Sequence, residues 1–262
     1  MNESELARLM FRAACPKNEI ILDDGGRPSV MVFIPKFRMN QVITNGSDRV
    51  HPAFIVNGKE QDGFYISKYA NCASGGVGCS EPMAVPYNEI DIVKARRMCE
   101  DKGPGWHLTT AQEWGAIALW CKRNGRLPRG NNDWGKDGRE SVFSAAPAEW
   151  GDKGAKRVLT GSGPLSWSHD GTAAGVWDLN GNLSEWVAGL RFVYGLAFNE
   201  PYFDSMEQYA YLINGIPEAY MYRGGYWGSG AFAGVFCWSA SWGKGHVYEG
   251  NGFRAAYVPP EG

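Results

Sequence analysis

The sequence predicts an α+β fold. Three observations predict it: apolar, β-compatible runs near the beginning, two adjacent helical patterns in the middle, and a long second half of short strands and Gly-rich turns. Hydrophobic residues at 44% and charged residues at 21% are those of an ordinary globular protein, and 262 residues suffice for one large domain or two small ones. The 35 glycines and 11 tryptophans suggest a loop-rich body pinned by large aromatic side chains. A net charge of −2 argues against a nucleic-acid-binding face. No apolar run reaches the length of a membrane span. The amino-terminal MNESELARLMFRAACPKNE carries charges inside its apolar pattern and does not read as a signal peptide.

In chain order, Ser4–Ala14 is an amphipathic helix pattern with Leu6, Leu9, Met10 and Ala13 on one face. Asp23-Asp24-Gly25-Gly26 is a turn leading into the strand run Val30–Ile34, which Pro35 stops. Residues 37–52 read as a polar connection. Ala53–Val56 and Phe64–Tyr69 read as two strands around a polar turn at Asn57-Gly58. Two helices follow. Asn88 is the expected cap of the first, which buries Ile92, Ala95, Met98 and Cys99 and ends at Gly103. Thr109 with Gln112 is the expected capping box of the second, whose Trp114, Ile117, Ala118 and Cys121 face inward until Gly125. From Leu127 to Asp170 no long regular element is expected. The six cysteines show no zinc-type spacing; Cys99 and Cys121 read as buried thiols, and Cys72 and Cys79, flanking a Gly-rich loop, as free thiols rather than a disulfide.

Two stretches carry the functional reading. In Arg223–Tyr257 both ends read as buried strands, with Ala233–Phe236 as a third apolar run between them. Around that run, Tyr226, Phe232, Trp238, Trp242, His246 and Tyr248 lie among Gly, Ser and Ala with no period of 2 or 3.6. Loops are normally polar, whereas binding surfaces are enriched in Tyr, Trp, Ser and Gly, so the set reads as a recognition surface held between fixed strands. The second stretch is Gly175–Val187. It brings together the oxygen ligands Asp178, Asn180, Asn182 and Glu185 around Gly181, chemistry that suits a hard cation such as calcium. The spacing is not that of an EF-hand. Taken on spacing alone, an Asn-Gly turn whose side chains bond their own backbone is preferred.

Residues 175–187, together with Arg223-Gly224-Gly225 and Gly252-Phe253-Arg254, resemble the signature of the formylglycine-generating-enzyme superfamily. Gly105–Thr109 followed by Glu113-Trp114 resembles that family's link between its two helices. The resemblance covers roughly 64–257. It implies a C-type-lectin-like fold, loop-rich, with two helices packed on a twisted antiparallel sheet. Arg223–Gly225 and Gly252–Tyr257 are then expected in neighbouring strands of one sheet. It also implies a structural calcium held by the side chains of Asp178 and Glu185 and the backbone carbonyls of Gly181 and Leu183. The family's oxidase activity is not expected. It needs a copper-binding cysteine pair before the final Gly-Phe-Arg, and this chain has Cys237 alone there. The four histidines form no ligand spacing for the iron-dependent relatives, so no catalytic residue and no catalytic cofactor are expected.

Residues 222–257 are similar to the variable region of the target proteins of diversity-generating retroelements, phage or bacterial proteins in which error-prone copying of adenines replaces asparagine codons. The positions that align with such codons are Tyr226, Gly228, Ser229, Phe232, Ser239, Ser241, Trp242, His246, Tyr248 and Gly250. The resemblance implies a hypervariable ligand- or receptor-binding protein, associated with a phage tail or exposed at a bacterial surface, that recognises a bacterial surface protein or glycan. Phage tail subunits are implied partners and a homotrimer would suit such a particle. Residues 1–50 are then an attachment segment or strand extension and 51–262 the lectin-like domain. The competing expectations are an oxidase of the formylglycine-generating type and a lectin-fold module with a fixed partner.

Overall fold

Two five-stranded sheets hold the chain together, and the site lies over the second. The computed structural model describes residues 18–142, 144–193, 210–212 and 218–260, so the expected helix Ser4–Ala14 lies outside the described residues. In chain order the strands are β1 (Asn18–Leu22), β2 (Pro28–Pro35), β3 (Ile55–Val56), β4 (Lys59–Glu60), β5 (Gly63–Ser67), β6 (Cys72–Ser74), β7 (Val77–Cys79) and β8 (Trp106–Leu108). They continue with β9 (Trp150–Gly151), β10 (Gly154–Ala155), β11 (Ser184–Val193), β12 (Ala210–Leu212), β13 (Glu218–Gly224), β14 (Gly234–Trp242), β15 (Asn251–Phe253) and β16 (Ala255–Tyr257). The helices are α1 (Met39–Val42), α2 (Ile92–Glu100) and α3 (Ala111–Arg123). This is a sheet-rich α+β fold with few helices. No helix among the described residues is long and apolar enough to cross a membrane.

The first sheet, ordered β1-β2-β5-β16-β8, is antiparallel throughout. Val30, Met31, Val32 and Ile34 of β2 are buried between its two neighbours, while Phe33 of the same run is 40% exposed. β1 and β2 are part of this sheet, so residues 18–35 extend the same body that residues 63–257 build. The second sheet, ordered β12-β14-β13-β11-β15, is mixed rather than antiparallel. β13 runs antiparallel to β11 and β14, while β15 is parallel to β11 and β12 is parallel to β14.

Several local expectations are corrected by hydrogen bonding. Asn57-Gly58 turns between β3 and β4, with φ of 50° and 77°, rather than between longer strands reaching Tyr69. Asp91, not Asn88, caps α2: its carboxylate accepts from the Lys94 amide at 2.8 Å, while the Asn88 side chain donates to the Glu249 carbonyl at 2.9 Å. The capping box of α3 is Thr110 with Glu113, one residue later than expected, because Glu113 accepts from both the amide and the hydroxyl of Thr110. The inward faces of both helices are those expected. Ile92, Ala95, Met98 and Cys99, and then Trp114, Ile117, Ala118 and Cys121, are buried. Cys72 and Cys79 lie opposite each other across the β6–β7 hairpin as free thiols.

The ends of the 223–257 stretch are not adjacent strands. β13 and β15 lie on either side of β11, and β16 leaves for the first sheet. Arg254 stands at the crossing. Its guanidinium bonds both oxygens of Glu185 at 2.7 and 2.9 Å and also donates to the carbonyls of Ser67, Lys68 and Trp177. One fully buried side chain thus ties β5, β11 and the 175–187 segment together.

Candidate ligand-binding surface

β14 sets the site by simple alternation. Trp238 and Ala240 belong to the apolar core, whereas Ser239 and Ser241 share the other side and hydrogen-bond each other at 2.7 Å. Behind the strand, the Trp114 indole donates to the Val235 carbonyl at 2.7 Å, so α3 fixes its position. Residues 225–232 and 243–250 wall a concavity of about 870 Å³ above Ser239 and Ser241.

The first wall is held from below by buried asparagines. Asn180 accepts from Asn132 and donates to the Pro128 carbonyl, while Asn182 accepts from Asn131 and from the Val158 amide. These side chains therefore bond the distant 128–158 segment rather than their own turn. Gly181, with φ of 77°, has no room for a Cβ because the Asn131 carbonyl fills that space. The fixed 130–135 segment in turn meets the wall: the Trp134 amide donates to the Trp227 carbonyl at 3.0 Å and Gly230 donates to Asn132 at 2.8 Å. Residues Asn131 and Asn132 were not picked out from sequence; the signal was the polar, Gly-rich Gly130–Gly138, which has no apolar reason to be buried.

Aromatic rings make the second wall. Trp242 and His246 stack with centroids 4.0 Å apart and planes within 6°, and His246 is also near-parallel to Tyr248 at 6.4 Å. Tyr226 meets Tyr248 edge-on at 5.6 Å, and Trp186 closes the base against Tyr222 at 5.2 Å. Burial lowers the His246 pKa, so the imidazole is neutral at pH 7. Burial together with the Tyr226 hydroxyl pushes the Tyr248 phenol upward.

Of the ten positions expected from sequence, Tyr226, Gly228, Ser229, Phe232, Ser239, Ser241, Trp242, His246 and Tyr248 line this one concavity. Gly250 does not; it is buried, and a Cβ there would press on the rings of Tyr248 and Tyr226. Phe232, Trp242 and Tyr248 are exposed, and Tyr226, Ser239 and His246 are half-buried. Ser241, expected as part of the recognition surface, is instead buried beneath them near the end of β14. Sequence reasoning missed Ser184, Tyr222, Cys237 and Asn251, which also line the cavity. Tyr222 and Asn251 lie on strands at either edge of the stretch, so only pairing in the sheet brings them in. Burial pushes the Cys237 thiol up to about 11 although Arg223 opposes it, the reverse of what a thiolate metal ligand needs. No Asp, Glu, Lys or Arg lines the cavity among the described residues.

Asp178 and Glu185 are both buried, but their surroundings differ. Glu185 has its charge answered by Arg254, the part a cation would otherwise take. Asp178 accepts from the Gly161 amide at 3.0 Å through one oxygen, and its other oxygen has no hydrogen-bond partner among the described residues. Burial raises the Asp178 pKa to about 6 despite the Gly161 bond and nearby Arg254. One Asp178 oxygen is thus left open to a cation while Glu185 is already answered, and no cluster of three or more His, Cys, Asp or Glu side chains able to hold a metal occurs among the described residues.

No protein-family model matches the chain, and no curated protein matches it in sequence. Solved structures are similar to it at low identity. PvdO from Pseudomonas aeruginosa is 16% identical with a TM-score of 0.49, over 91% of this chain and 97% of that one. Treponema denticola variable protein 1 is 13% identical with a TM-score of 0.42, over 92% and 99%. A P3c variant of Major Tropism Determinant is 14% identical with a TM-score of 0.40, over 92% and 71%.

Proposed function

We propose that this chain is a variable ligand-binding protein, with a C-type-lectin-like scaffold of the formylglycine-generating type and a diversified face that recognises a molecule on a bacterial surface. The observation that carries the reading is convergence. Nine positions chosen from sequence, spread over 226–248, line one aromatic concavity held by sheet and core. Rigid rings on a fixed frame supply contact area at low entropy cost, and side chains that do not support the fold are free to vary. Binding rather than catalysis is the role this composition suits. Attachment to phage tail subunits, display on the virion and a homotrimeric assembly complete the proposal.

The test is Tyr226→Ala, Phe232→Ala and Tyr248→Ala combined, assayed against a panel of intact bacteria. The variant is expected to lose about 1 kcal/mol of stability in total and more than about 2 kcal/mol of binding. A folded triple variant that binds the same cells as tightly as the parent would sink the reading.

A structural calcium on Asp178 and the carbonyls of Gly181 and Leu183, alongside a Glu185 already held by Arg254, is the accompanying proposal. The ion would satisfy the orphaned oxygen. Without it, the raised pKa means that stability is full below the unfolded value of 3.8 and is lost as pH rises through about 6, by about 3 kcal/mol. Calcium is therefore expected to raise Tm at pH 8 and EGTA to lower it, with Asp178→Asn indifferent to both. A parent Tm that ignores calcium and EGTA assigns that oxygen a proton instead.

A further inference from the structure

We infer that the concavity over β14 takes a neutral, polyhydroxylated ring, the unit of an uncharged glycan. The inference rests on the reading of this surface as a binding site and names the chemistry of its ligand. Four features of the lining converge on it.

The first is the absence of charge: among the described residues the lining is aromatic, Ser, Gly, Cys and Asn only. An ionised ligand group enclosed there would have no counter-charge, which is costly in a desolvated site. The second is the stacked set Trp242, His246 and Tyr248, which offers flat apolar faces already fixed by one another. Little rotamer entropy is then lost when a ligand settles on them. The third is the Ser239–Ser241 pair, whose hydroxyls bond each other at 2.7 Å and place polar oxygens in the lining of the cavity.

The fourth is Asn251. It is 2% exposed, it lines the cavity, and its side-chain nitrogen has no hydrogen-bond partner among the described residues. Buried donors are normally satisfied, so this amide asks for an acceptor that the described residues do not supply. A sugar ring answers all four features at once, with apolar C–H faces for the rings, hydroxyls for the serines and Asn251, and no charge. An aromatic side chain inserted by a protein partner would cover the rings but leave Asn251 unanswered. The volume of about 870 Å³ is in the range of sites for small ligands.

The experiment places the full chain on a printed array of neutral glycans, anionic glycans and Tyr- and Trp-rich peptides. Saturable binding confined to neutral glycans is expected, weakened by about tenfold or more in Trp242→Ala and in Asn251→Ala. Asn251→Ala should also keep or raise Tm, since it removes an unsatisfied donor; a merely structural asparagine would lower it. Equal binding to anionic glycans, binding to peptides alone, or a blank array each overturns the inference. A blank array with cell binding that the triple variant abolishes would leave the binding-surface reading standing, whereas cell binding that survives the triple variant overturns that reading itself.

Discussion

Replacing Arg254 by alanine is expected to destabilise the protein by about 3–5 kcal/mol, because it leaves the buried Glu185 carboxylate without its counter-charge. Arg254 is fully buried and Glu185 is 1% exposed, so water cannot take over. The loss also strips the donors from the carbonyls of Ser67, Lys68 and Trp177. For a chain of this size such a change lowers Tm by on the order of 10 °C. Arg254→Lys should recover little, since an ammonium cannot reproduce a bidentate pair together with bonds to three carbonyls. Adding Glu185→Gln to Arg254→Ala should return part of the stability by removing the orphaned charge. A thermal melt in which Arg254→Ala behaves like a surface substitution would show that this junction does not hold the sheets together.

What the sequence made legible follows from the range of the interactions involved. The helix faces around Ile92–Cys99 and Trp114–Cys121 were readable because burial repeats at 3.6 residues and depends on near neighbours. The caps were off by one to three residues because Asn88 and Asp91, or Thr109 and Thr110, are equally able to cap, and tertiary contacts choose between them. The recognition surface was legible from composition and resemblance, because aromatics without a core period stand out. Its missing members, Tyr222 and Asn251, enter only through strand pairing that spans β13, β11 and β15. Register across a mixed sheet is non-local, and nothing in a linear pattern reports it. The asparagine network was misread for the same reason: Asn180 and Asn182 looked like ligands or a self-bonded turn, and their partners lie 24 to 52 residues away.

Phe253 and Phe232 test the division between frame and surface most sharply, since the same side chain occupies both kinds of site. Phe253 is fully buried in β15, opposite Trp186, with its ring edge-on to Tyr87 at 6.5 Å. The hairpin β6–β7 closes over it, so tightly that a Cβ on Gly78 would lie 2.5 Å from its ring. Such a site cannot collapse around a missing ring, and Phe253→Ala is expected to cost about 3–5 kcal/mol. Phe232 is 53% exposed at the rim of the cavity, and Phe232→Ala is expected to change stability by less than about 0.5 kcal/mol. Binding should invert this order. Phe253→Ala, measured well below its lowered Tm, should keep its affinity for cells, and Phe232→Ala should lose it. If Phe232→Ala melts as early as Phe253→Ala, its ring supports the fold and is not free to vary, and the rim of the cavity is core rather than recognition surface.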